Sequence, residues 1–104
     1  MCSSDLYGAQ YTVLHASRHG GLRAIFDLAG CCCESGDIIQ PAISLPAGTA
    51  RGDRVAVCTT GAYNYSMASN YNRFGRPPVV MLRGGESFLA VRRESVEDVL
   101  ALDL

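Results

Sequence analysis

From Tyr11 to Ala16 the chain alternates, with Tyr11, Val13 and His15 on one face and Thr12, Leu14 and Ala16 on the other, the period of a strand. His19-Gly20-Gly21 ends that run. Ala24 to Cys33, with Ile25, Phe26 and Leu28, predicts a second buried strand or strand pair. Gly36-Asp37 reads as a turn before Ile38-Ile39, whereas Pro41, Pro46 and Gly48 predict irregular chain that is poor strand material. Arg51-Gly52-Asp53 predicts a turn and Arg54 to Thr59 a strand behind it. Val79 to Leu82 and Ser87 to Arg93 are joined through Gly84-Gly85, a two-residue link that permits positive φ and predicts a tight hairpin. Ser95 and Asp98 form a capping-box pair, and Val96, Val99 and Leu100 share one face of a terminal helix. Ala62 to Asn72 is too polar and aromatic for a core element and predicts at most a helical turn near Met67. The expected architecture is one mainly β domain over residues 1–104, with about five to seven short strands and a short C-terminal helix.

Composition narrows what such a domain does. A chain of 104 residues buries roughly two-thirds of its unfolded surface and has little room for a deep, fully walled cavity. A formal net charge of −1 gives no electrostatic case for nucleic acid or an anionic membrane. No apolar run approaches the ~20 residues of a membrane span, and Met1 to Asp5 lacks signal-peptide character, so a cytoplasmic location is expected. All nine basic residues counted as Lys or Arg are arginine. Chemistry that needs a lysine amine must therefore draw it from outside this chain. The five cysteines, Cys2, Cys31, Cys32, Cys33 and Cys58, form neither a paired disulfide framework nor a C-x-x-C metal site, and no metal is expected.

Three clusters carry candidate chemistry. In Cys33-Glu34-Ser35-Gly36-Asp37 a thiol able to act as proton donor or nucleophile adjoins a carboxylate able to hold a cation. The plain alternative is an inert cysteine leading into a polar turn. Gly61-Ala62-Tyr63, with Ser69-Asn70-Tyr71-Asn72 behind it, suits either a hydrogen-bonding ligand surface or an ordered loop. Leu6-Tyr7-Gly8-Ala9, a tyrosine near a strand start, is unremarkable taken alone.

In order and spacing these clusters, followed by Arg76-Pro77 and Arg92-Arg93-Glu94-Ser95, closely resemble the C-terminal β-barrel or sandwich domain of diaminopimelate decarboxylases. Those are pyridoxal-phosphate enzymes of the alanine-racemase-like fold, related to the ornithine and arginine decarboxylases. The resemblance runs from about Leu6 to the end of the chain.

It implies an N-terminal (β/α)₈ barrel, absent from this chain, that holds pyridoxal 5'-phosphate and its Schiff-base lysine. It also implies a homodimer with active sites at the interface, in which meso-diaminopimelate becomes lysine and CO₂. The cofactor would serve as electron sink, leaving positioning and proton delivery to the protein. By the same resemblance Cys33 is the catalytic general acid reaching into the partner protomer's site, and Glu34 binds the distal end of the substrate. Tyr63 lines the cofactor and substrate pocket and Tyr7 contacts substrate, while Ser35, Gly36 and Asp37 shape the turn presenting Cys33 and Glu34.

Ornithine-type relatives carry aspartate after the cysteine, so Glu34 favours diaminopimelate. Where the family has an arginine four residues before the tyrosine matched by Tyr7, this chain has Ser3, and Cys31-Cys32-Cys33 stands in place of one cysteine. The expectation is a fragment that is inactive alone and exposes apolar surface. Two readings compete: the same fold acting on ornithine, arginine or carboxynorspermidine, and a non-catalytic β-domain that pairs with a partner barrel.

Overall fold

A computed structural model describes residues 8–104. Six strands and two short helices occur among them: β1 (Val13–His15), β2 (Arg23–Ala29), β3 (Ile38–Pro46), β4 (Val55–Val57), α1 (Asn64–Met67), β5 (Val79–Arg83), β6 (Glu86–Val91) and α2 (Val96–Leu100). A 3₁₀ turn spans Tyr71–Arg73. The strands pair as three antiparallel ladders, β1 with β4, β2 with β3 and β5 with β6, with no closed barrel among the described residues. The chain divides into two compact units, one ending at Met67 and the other Ala68–Leu104.

In the first unit β2 and β3 form the longest ladder, from Arg23 opposite Pro46 to Ala29 opposite Ile38. The chain expected to be irregular around Pro41 and Pro46 is in fact the nine-residue β3. The reason is a bulge: Leu28 faces Gln40 and Phe26 faces Ile43, so Pro41 and Ala42 together oppose Asp27. A bulge accepts a residue with no N–H to give. Ala42 takes the left-handed φ of 53° there, and its N–H donates to Asp27 Oδ1 at 2.8 Å. Pro46 closes the strand. Conversely, β2 stops at Ala29 instead of running on to Cys33, because the next residues are captured by Asp37 as described below.

Burial is sparse. Ile43 and Leu45 of β3, 8% and 3% exposed, are the buried hydrophobic residues among those described, while Leu22 and Ile25 stand in solvent. Gln40, also buried, ties β3 to the chain before β1: its Oε1 accepts from Tyr11 N–H and its Nε2 donates to Gln10 Oε1, both at 2.9 Å.

His15, 4% exposed, anchors the end of β1. Its Nδ1 accepts the N–H groups of Ser17 at 3.1 Å and Arg18 at 2.9 Å, which places the ring proton on Nε2. Nε2 lies 3.3 Å from Asp53 Oδ2, close enough for attraction but too poorly aligned for a good hydrogen bond. Changing His15 to alanine strands two backbone donors and opens a void. A loss of about 2–4 kcal/mol is expected, read as a lower urea midpoint at unchanged slope.

Asp53 is held below the usual carboxylate range, first by the Ala50 N–H, then by His15 and by Arg18 nearby. A folded-state value below the unfolded one contributes stability that is present at neutral pH and withdrawn as pH falls through the carboxylate range. The variant Asp53→Asn should therefore flatten the acid limb of a stability–pH curve. An unchanged limb would remove Asp53 from that role.

The second unit opens its hairpin where expected, with Gly84 and Gly85 at φ 60° and 82° between β5 and β6. Its helix starts as expected too. Asp98 N–H donates to Ser95 Oγ at 3.2 Å and Ser95 N–H to Asp98 Oδ2 at 2.8 Å. Arg92 holds both Asp98 oxygens, which drives that carboxyl far below its ordinary range. Asn70, Arg76 and Glu94, from three separate motifs, form one cluster. Glu94 accepts from Arg76 N–H at 2.7 Å, Asn70 Nδ2 at 2.6 Å and an Arg76 guanidinium N–H at 2.9 Å, and is lowered in that order of cause.

Candidate active-site loop and the Tyr63 concavity

Cys33 and Glu34 ride on the loop between β2 and β3, and this loop is built by Asp37. Asp37 Oδ2 accepts the Cys32 N–H at 2.9 Å, and its carbonyl accepts the Gly30 N–H at 2.7 Å. Asp37 N–H returns to the Glu34 carbonyl at 3.1 Å, closing a four-residue turn through Ser35 and Gly36. The Glu34 N–H donates to the Cys32 carbonyl at 2.9 Å, bending the chain at Cys33. Cys33 and Glu34 are thereby displayed to solvent at the loop's tip. One Glu34 oxygen accepts the Gly36 N–H at 3.1 Å, which orients the carboxylate.

Gly30 matters in a way that hydrophobic alternation hides. A Cβ there would lie 2.0 Å from Asp37 Oδ2 and 2.3 Å from its Cγ, so the Asp37 carboxylate occupies the space a side chain would need. The visible signal is a glycine breaking an apolar run just before the cysteines. Within the cysteine run the half-buried Cys32 thiol is pushed up, first by desolvation and then by the Asp37 charge and its neighbour Cys31.

Tyr63 sits elsewhere in the first unit. It is 76% exposed, at a left-handed φ of 70°, and its carbonyl accepts from Met67 N–H at 2.8 Å and Ser66 Oγ at 2.9 Å. The residue thus starts α1 with its backbone while its ring is free to face a ligand. It lines a concavity of about 500 Å³ with Ala9, Tyr11, Thr59, Ala62 and Met67. That volume suits a small aromatic cofactor or an amino acid. Cys33 and Glu34 do not line it. The site predicted from sequence is therefore two surfaces of one unit, a thiol–carboxylate loop and an aromatic-walled concavity. Tyr7 lies outside the described residues.

As a seat for pyridoxal phosphate this concavity fits in part. Tyr63 offers a ring and a hydroxyl, but no lysine exists in the chain to bind the aldehyde. The loop likewise presents a thiol and a carboxylate at its tip.

Comparison with known proteins identifies the family. The family described as pyridoxal-dependent decarboxylase, C-terminal sheet domain, matches residues 1–61. A diaminopimelate decarboxylase of Bacillus subtilis is 49% identical over 100 residues, 95% of this chain and 23% of its own length. A crystal structure of diaminopimelate decarboxylase from M. jannaschii superposes with a TM-score of 0.90 at 31% identity, over 98% of this chain and 23% of that one. The same enzyme's complex with L-lysine gives 0.88 at 32% identity, over 97% and 23%. The chain thus spans about a quarter of the length of these relatives. It belongs to the family of pyridoxal-dependent decarboxylase C-terminal sheet domains.

Proposed function

We propose that residues 1–104 act as the C-terminal domain of a cytoplasmic diaminopimelate decarboxylase, lending Cys33 and Glu34 to an active site completed by a (β/α)₈ barrel and a second protomer. The observation that carries this reading is the Asp37-built loop, which displays a thiol and a carboxylate side by side at its tip. Pyridoxal phosphate, when bound, supplies the electron sink for loss of CO₂. Cys33 delivers a proton from Sγ to the carbon that CO₂ has left. Glu34 holds the ammonium at the far end of the substrate with a charge-assisted hydrogen bond. Tyr63 positions cofactor or substrate by its ring and hydroxyl, and Tyr7 touches substrate. The missing amine and most cofactor contacts belong to the barrel, so the 104-residue chain supplied with pyridoxal phosphate is expected to turn over nothing.

The test is a chimera in which this chain replaces the matching segment of the Bacillus subtilis decarboxylase. Release of lysine from meso-diaminopimelate is expected, with far smaller CO₂ release from ornithine, arginine or carboxynorspermidine. A folded, cofactor-loaded chimera that prefers one of those substrates would overturn the substrate assignment, and one with no activity toward any would overturn the catalytic one.

A further inference from the structure

Tyr63 stands where local preference would not put a tyrosine. It is the residue from which α1 starts, a position that favours Ser, Thr, Asp, Asn or Gly. The short polar ones cap free N–H groups there, and a hydroxyl at the far end of a phenol ring cannot. The φ of 70° is left-handed, a conformation that bulky residues avoid. Asn64 N–H donates to the Ala62 carbonyl at 2.9 Å, so Tyr63 is the centre of a γ-turn of the strained, positive-φ kind. Thr59, a second wall residue of the concavity, is also left-handed, at φ 60°, although β-branched. Because Tyr63 is 76% exposed, packing within the chain does not explain the choice. Strain that packing does not offset marks a residue kept for what it meets.

A pose under strain needs a fastening. Two donors meet on the Tyr63 carbonyl, Met67 N–H at 2.8 Å and Ser66 Oγ at 2.9 Å. The Met67 bond comes with any helical turn, whereas the Ser66 bond depends on one side chain. Ser66 is itself exposed, so water would satisfy its hydroxyl equally well. We propose that Ser66 is a positioning residue that holds Tyr63 in its strained pose with the ring turned to a ligand. This role rests on the reading that Tyr63 contacts cofactor or substrate. Without the Ser66 hydroxyl the γ-turn relaxes while the domain stays folded, and only a fraction of molecules present the ring correctly. Apparent affinity falls by that fraction. The loss is that of one neutral hydrogen bond, about two- to tenfold.

Two measurements test this role. In the isotope-labelled 104-residue chain, the backbone chemical shifts and HN–Hα coupling of Tyr63 should report a left-handed φ. The same signature is expected in Ser66→Thr, whose hydroxyl reaches the same carbonyl, and a conformationally averaged one in Ser66→Ala. In the chimera, Kd for pyridoxal phosphate is read by equilibrium dialysis of the cofactor-free protein, and KM for meso-diaminopimelate by lysine release. Whichever of these Tyr63→Ala raises, Ser66→Ala should raise by about two- to tenfold at unchanged kcat, and Ser66→Thr should restore. With the ring already removed in Tyr63→Ala, adding Ser66→Ala should weaken binding no further. A Ser66→Ala loss undiminished in that background, a Ser66→Thr variant that does not restore, or a Tyr63 backbone unaltered by Ser66→Ala would each overturn the proposal. A Tyr63→Ala chimera with parental Kd and KM would instead end the reading of Tyr63, and the positioning role with it.

Discussion

Changing Cys33 to alanine in the chimeric decarboxylase is expected to lower kcat by about 10²–10⁴-fold with little change in KM, the span by which a positioned proton donor accelerates a reaction. The prediction follows from where the loop puts the side chain. Cys33 is at the exposed tip of a turn fixed by backbone bonds on both sides of it, so removing Sγ should leave the turn intact. What disappears is the proton, and a loss confined to the chemical step appears in kcat. Glu34→Gln supplies the contrasting signature. It keeps the length and the acceptor for Gly36 N–H but removes the charge facing a substrate ammonium. Its main effect should be on KM, about ten- to a hundredfold, the size of a lost hydrogen bond between charged groups. A Cys33→Ala enzyme with parental kcat would end the general-acid assignment, and equal effects of both changes on both constants would mean that the loop simply collapses.

Gly30→Ala should be nearly as damaging, although residue 30 touches no substrate. A Cβ placed 2.0 Å from Asp37 Oδ2 cannot coexist with that carboxylate where it stands. Asp37 must swing away, releasing the Cys32 N–H, or the end of β2 must part from the start of β3. Either movement displaces the tip that carries Cys33 and Glu34. Misplacement of about 1 Å can cost on the order of 10² in rate, and here it should lower kcat and raise KM together. The mechanism has its own signature. In an Asp37→Ala background the obstructing carboxylate is already gone, so adding Gly30→Ala should cost little more. Strong non-additivity in this double-mutant cycle identifies the contact. Additive losses, or a fully active Gly30→Ala enzyme, would show that the clash does not govern the loop.

The parts of the fold that were legible from sequence are those specified over a few residues. Gly84-Gly85 announces a two-residue hairpin because the link needs positive φ twice, and both glycines supply it. Ser95 and Asp98 announce a helix start because each satisfies the other's backbone N–H. β3 was misread because prolines count as breakers until a partner strand is known, and only the pairing with β2 reveals that Pro41 occupies a bulge. The extent of β2 was misread for a related reason. Its apolar run continues to Cys33, but Asp37, seven residues beyond Gly30 in sequence, captures the chain first. The candidate site divides in the same way. The Cys33-Glu34 pair stood out through its company of motifs, and the support of Asp37 is visible in its neighbourhood. The dependence on Gly30 shows in sequence only as a glycine breaking the apolar run, and the through-space contact with Asp37 behind it required coordinates. Tyr63 was found as a residue type in a string, but its left-handed backbone and the concavity beside it required coordinates.

The bulge at Pro41 and Ala42 also sets which changes of length the gene can tolerate. Downstream of it Ile43 and Leu45 point inward, two residues apart on the same side of β3. Deleting Pro41 or Ala42 would straighten the ladder with Gln40, Ile43 and Leu45 still on one face. Adding one codon would instead have to be absorbed by a wider bulge or by a slip in the pairing of β2 with β3. Insertions among homologues of this domain should therefore avoid this short stretch. They should accumulate instead in the link after β1, where Arg18 to Leu22 lies exposed and outside any ladder.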